Sequence, residues 1–293
     1  MNRSIRLAPP RSAAGGAGLV LLGALLIQFA ATLAIPAFRV VGPAATSAWR
    51  FLFGAVILLV VVRPRVRTWT RRQWIAAALL GVATAAMNQS FYQAIARIHL
   101  GSAVAIEYLG PFLVAAMIRP TWRHTLFVLL AAVGVLALTR PGSGITWMGG
   151  LFAVGAGVGW ASYTLASHRV GGVTEGFEGL AVAMAIAAAV TVGFAVPSVG
   201  TVGSTPTLAG RLLIMAVLAI VLGFGAELQA LRRLKPSTVG VLLALNPAVA
   251  LLVGAAVLHQ AIAWWDLVGV VLVVTAGVAV THSVLESPPI AAG

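Results

Sequence analysis

The chain of 293 residues is 60% hydrophobic and only 9% charged, with a mean hydropathy of +1.03, which excludes an ordinary soluble domain, where about a quarter of residues are charged. The absence of cysteine excludes disulfides and thiolate metal sites. A formal charge of +13 would suit nucleic acid in a soluble chain, so the placement of the basic residues has to decide what it means.

Apolar stretches long enough to cross about 30 Å of hydrocarbon at about 1.5 Å per residue recur along the chain with short polar breaks. The hydropathy predicts ten helical spans: 18–38, 45–62, 73–96, 102–118, 122–139, 147–167, 178–197, 211–231, 237–258 and 264–283. The basic start RSIRLAPPR leads into a run too long for a signal peptide, and nine more follow, so the first span reads as an uncleaved helix. Residues 1–17 are then a basic cytoplasmic tail and 284–293 a C-terminal tail.

The basic residues fall in alternate loops. With the N-terminus inside, one side holds Arg3, Arg6, Arg11, Arg63, Arg65, Arg67, Arg71, Arg72, Arg119, Arg123, Arg169, Arg232, Arg233 and Lys235, and the other only Arg39, Arg97, Arg140 and Arg211. The positive-inside rule therefore predicts both termini in the cytoplasm, and no nucleic acid is needed to explain the charge. A plasma or inner membrane is the default location.

GLVLLGALLIQFAATLA (18–34) aligns without gaps with GLFAVGAGVGWASYTLA (150–166), and SAVAIEYLGP (102–111) returns as STVGVLLALNP (237–247). The spacing predicts two repeats, 18–139 and 147–283, of five helices each. An odd helix number inserts the second copy upside down, the architecture of many alternating-access transporters. Glycines inside the spans read mainly as packing residues. Pro111 and Pro247, at matching repeat positions, read as helix breaks.

Ionisable residues inside a span cost about 2.5 to 3.5 kcal/mol on insertion scales and usually face a cavity or a partner. Arg50, Glu107 and Glu227 are the three candidates. Arg50 and Glu107 each lie about five residues below the same boundary, which predicts an ion pair. A permanent clamp between helices and a carboxylate that also meets proton or substrate are both open at this point. Glu227, near a helix end, can equally snorkel or pair with Arg232 or Arg233. Asp266, beside Trp264 and Trp265, reads as interfacial. Gln28, Asn88, Gln89, Tyr92, Gln93, Tyr108, Trp160, Tyr163 and Asn246 add uncharged polar groups at mid-depth, a set suited to a small zwitterion.

Enzyme motifs are missing: there is no His-Glu-x-x-His pair, no G-x-S-x-G elbow inside a span and no P-loop. No cofactor is implied, and a pump without a nucleotide motif must run on an ion gradient.

The motifs A-W-R (48–50), M-N-x-x-F-Y (87–92), A-V-A-I-E-Y-x-G-P (103–111), G-A-G-x-x-W-A-x-Y (155–163), E-L-Q-A-L-x-R-L (227–234) and L-N-P (245–247) together resemble the EamA-type, ten-helix members of the drug/metabolite transporter superfamily, and within it the bacterial threonine/homoserine exporters. The resemblance spans about residues 18–283. It implies an all-α inner-membrane protein that exports small amino acids by proton antiport through a cavity between the repeats, and it matches Arg50, Asn88, Tyr92, Glu107, Trp160, Tyr163 and Glu227 to family positions. Its partners would be the bilayer, an amino acid and protons, with a homodimer allowed. Two positions depart from the family: Asn246 stands where L-E-P is common, and His259-Gln260 where Gly-Glu is usual. Export of other metabolites or cationic drugs, and a non-transporting scaffold or sensor, are the competing readings.

Overall fold

The computed structural model describes residues 13–110, 122–138, 146–171, 174, 177–231, 233–234 and 241–285. Every regular element among them is helical. Among the described residues five stretches are long and apolar enough to cross a membrane: Gly15–Val62, Arg71–Ile95, Glu178–Ser204, Pro206–Glu227 and Val241–Leu258, with shorter apolar helices at Thr125–Leu138 and Trp264–Ala279.

Helix α1 (Ala13–Val62) carries the first two predicted spans as one kinked rod. At about 1.5 Å per residue its 50 residues exceed twice the hydrocarbon thickness. A loop is expected over 39–44, but the break is confined to Gly42, at φ 81° and ψ 160°. Only glycine adopts that conformation cheaply, and Pro43 then restarts the helix without needing an N–H partner. The freed carbonyls are satisfied locally: Thr46 Oγ1 donates to the Gly42 oxygen at 2.7 Å and Gln89 Nε2 to that of Ala44 at 3.2 Å.

Helix α2 (Arg71–Ile95) starts at Thr70, whose side chain and that of Gln73 each accept the other's backbone N–H. Helix α3 (Leu100–Glu107) is buried along its whole length and gives way to a turn at Tyr108 before the helical residues 109–110. Pro111 lies outside the described residues. Helices α4 (Trp122–Leu138) and α5 (Trp147–Gly171) follow. Helix α6 (Glu178–Ala195) runs on through a 3-10 turn at Val196–Ser198 into α7 (Val199–Ser204). Pro197, placed at the span's end by the sequence, sits in that turn and does not stop the rod.

Helix α8 (Pro206–Ala216) passes through a π-helical stretch, Val217–Gly223, into α9 (Phe224–Leu231). In the last third of the chain, residues 241–243 are helical, 244–245 form a turn, and α10 (Asn246–Leu258) and α11 (Trp264–Leu285) complete the fold. Asp266 is a structural residue, since its Oδ2 accepts the Ala263 N–H at 2.8 Å ahead of α11.

Helix α1 packs against α6, α8, the π-helical stretch and α10, while α2 packs against α5 and α6, and α11 against α4. Glycine sets the closest of these crossings. A Cβ on Gly159 would stand 2.6 Å from the Met87 backbone, bringing α5 against α2, and one on Gly157 would stand 2.9 Å from the Glu107 carbonyl. Tyr92, Phe51, Leu100, Met184 and Ile220 are fully buried, whereas Trp122 and Trp147 are 73% and 75% exposed. Large apolar side chains around the outside suit lipid rather than water.

Candidate functional site

Arg50 lies on the second limb of α1 and is 3% exposed. Its Nη2 donates to Asn88 Oδ1 on α2, and its guanidinium stands 4.8 Å from the centre of the Tyr92 ring and 5.4 Å from that of Phe51. Asn88 is fixed in turn, because its Nδ2 donates to the Thr84 carbonyl at 2.9 Å. Tyr92 has no exposed surface and packs on Phe38 at 5.4 Å. This α1–α2 cluster is one half of the site.

The other half gathers at the turn after α3. Tyr108 accepts a hydrogen bond from Asn246 Nδ2, which joins the two interrupted segments, and meets the edge of Trp160 at 4.2 Å and 78°. Glu107 immediately precedes Tyr108 in the chain. Glu107 is buried at 6% exposure. Glu227 is half-buried on α9, and its Cγ lies 3.2 Å from where a Cβ on Gly23 of α1 would stand. Tyr163 stacks on Phe224, ring centres 6.5 Å apart, three residues before Glu227. Pro247 is buried in the first turn of α10, where a missing N–H costs nothing. Gln28 is buried in α1, and its Oε1 has no hydrogen-bond partner among the described residues.

The Arg50–Glu107 ion pair expected from depth is not formed: among the described residues Arg50 has Asn88, not a carboxylate, as its hydrogen-bond partner. Counting residues fixes height along the membrane normal but not the face of the helix. Glu107 belongs to a segment whose backbone is held against Gly157 of α5, while Arg50 is turned towards α2.

Sequence reasoning also missed Ser47 and the contact that Gln260 makes. Ser47 is fully buried one turn before Arg50, a spacing that could have revealed it. Gln260 accepts the Leu100 N–H at 3.3 Å and so caps the start of α3 from the end of the neighbouring α10. No pattern in the sequence signals that long-range contact. Among the described residues no group of three His, Asp or Glu side chains could hold a metal ion.

An all-helical, multi-pass membrane protein with charged and amide side chains buried at its centre is the class that this fold and site define. The chain belongs to the EamA-like transporter family: that family's model matches residues 147–281, and full-length relatives agree. It is 30% identical over 276 residues to the threonine/homoserine exporter RhtA of Salmonella typhimurium strain SL1344, covering 93% of each chain, and 29% identical over 275 residues to RhtA of Escherichia coli K12, again covering 93% of each. These relatives are transporters, not enzymes. A solved crystal structure covers 92% of this chain and 99% of its own with a TM-score of 0.64 at 18% identity, so the fold is shared.

Proposed function

We propose that the protein exports small amino acids such as threonine and homoserine across the bacterial inner membrane, by proton antiport and alternating access. The observation that carries this reading is a buried set of opposite charges and amides, Arg50, Asn88, Glu107 and Asn246, in a chain similar over 93% of its length to proteins named as threonine/homoserine exporters. Buried charge of both signs suits a zwitterion and is too costly in lipid to keep without use.

Two five-helix repeats, 18–139 and 147–283, supply the alternating states. Interruptions at Tyr108 and at residues 244–245 fall at matching repeat positions and support this arrangement, as does a family model that ends within two residues of the second repeat's limits. Interrupted helices near the centre of a bundle are where such transporters bind solute. Glu107 carries the exchangeable proton or meets the substrate ammonium, with Glu227 as the second acid. Both termini lie in the cytoplasm on the charge argument.

Cells that overproduce the protein should tolerate excess threonine or homoserine and release labelled forms of both faster than control cells. Protection against cationic dyes without any amino-acid release would replace this reading with drug efflux. A protein giving neither, while present in the membrane, would not be a transporter of these solutes.

A further inference from the structure

Arg50 offers five N–H donors, yet among the described residues it makes a single hydrogen bond, to the Asn88 amide oxygen. No carboxylate pairs with it among the described residues. The faces of Tyr92 and Phe51 stabilise a cation only in part. Five side-chain nitrogen or oxygen atoms are buried without a hydrogen-bond partner among the described residues, and four of them, Ser47 Oγ, Arg50 Nε, Gln89 Oε1 and Tyr92 OH, belong to this α1–α2 face. Tyr92 lies against the guanidinium, Ser47 stands one turn before Arg50 on α1 and Gln89 follows Asn88 on α2, whereas in ordinary packing buried polar groups find partners.

Three of those four groups, the guanidinium and the hydroxyls of Ser47 and Tyr92, are donors. An acceptor with negative charge supplies what each of them lacks and neutralises Arg50. An ammonium group is excluded by charge, and a neutral carbonyl leaves the guanidinium uncompensated. The planar fork of arginine matches a carboxylate in particular. We infer that Arg50, with Ser47 and Tyr92, is the seat for the carboxylate of the transported solute. The assignment rests on the export reading above and deepens it, since it leaves Glu107 and Glu227 for the ammonium end. Asn88, tied to the Thr84 carbonyl at 2.9 Å, is a positioning residue that holds the guanidinium over Tyr92.

The test compares thermal stabilisation of the purified full-length protein by matched pairs that differ only in the carboxylate: L-threonine and L-threoninamide, L-homoserine and its amide, L-phenylalanine and its amide, propionate and propionamide. Wild-type protein should be stabilised by the acid and not by the amide of at least one pair. Arg50→Gln should weaken the acid at least about thirtyfold, the range for truncating one partner of a buried charged pair. Arg50→Lys should retain part of the preference, having the charge without the fork. Should Arg50→Gln fail to fold, Asn88→Ala provides the second variant, with a weaker acid preference and an unchanged response to amides.

No acid preference in any wild-type pair, or a full preference in Arg50→Gln, would overturn the seat. Preference confined to propionate would keep the seat and remove the amino-acid reading, so the two claims fail separately. A preference that survives in Asn88→Ala at wild-type strength would remove the positioning role.

Discussion

His259 is held at φ 53° and ψ 33°, the left-handed region that a Cβ makes unfavourable, at a position where the exporters this chain resembles usually carry glycine. His259→Gly should therefore raise stability by about 1 kcal/mol, read as a higher melting temperature in detergent. His259→Ala, which keeps the Cβ, should give little of that gain. The neighbouring departure has a different character. Gln260 still accepts the Leu100 N–H, so the amide does the capping that a carboxylate would do and only the charge is missing. Asn246, where relatives commonly have glutamate, donates to the Tyr108 hydroxyl, and a carboxylate there could only accept. With Glu107 next to Tyr108 in the chain, the amide avoids placing a further acid at this contact. Asn246→Ala should cost about 1 to 3 kcal/mol through the lost buried hydrogen bond, measurable by thermal unfolding. The buried polar residues were legible one by one because a charge or amide stands out in an apolar run. Which of them meet was not, as Arg50 and Asn88 show: a pairing depends on the direction each side chain takes around its helix, and composition is silent on that.

At the scale of the elements, Gly42 is the kink that joins the two limbs of α1. A Cβ added there meets nothing within 4 Å, so Gly42→Ala probes backbone conformation alone. It should cost about 1 to 3 kcal/mol, the range for strain in a region reserved for glycine, and lower the melting temperature accordingly. Gly159 offers the contrast. There a Cβ collides with the Met87 backbone, so Gly159→Ala should push α5 away from α2 and disturb the face that carries Asn88 and Tyr92. The Gly-Pro pair at 42–43 announces its break in the sequence, though not how short the break is. The π-helical stretch Val217–Gly223 announces nothing. Seven apolar residues without proline carry the same hydropathy whether their hydrogen bonds run to the fourth or the fifth neighbour, and what shows the stretch in place is Ile220 filling the room left by Gly54, 2.5 Å from where a Cβ would stand. For the same reason the span ends drifted: α6 and α7 run on to Ser204, and α8 begins at Pro206.

For the whole molecule, hydropathy predicts a membrane bundle because a lipid solvent demands long apolar helices, and the exposed Leu, Val and Trp side chains agree. The proposed repeats are alike in path and unlike in chemistry. Leu243 stands in the second where Glu107 stands in the first, so any proton coupling at this site works from one half only, whereas both halves contribute to the Tyr108–Asn246 contact. The central claim is that Glu107 couples a proton to amino-acid export. The direct measurement is efflux of labelled threonine or homoserine from proteoliposomes with and without an acidic exterior. Wild-type protein should release the amino acid faster when the outside is acidified, and Glu107→Gln, shown to be folded by its elution and melting profiles, should release it at a rate that ignores the gradient. The same acceleration in Glu107→Gln as in the wild type would contradict the account.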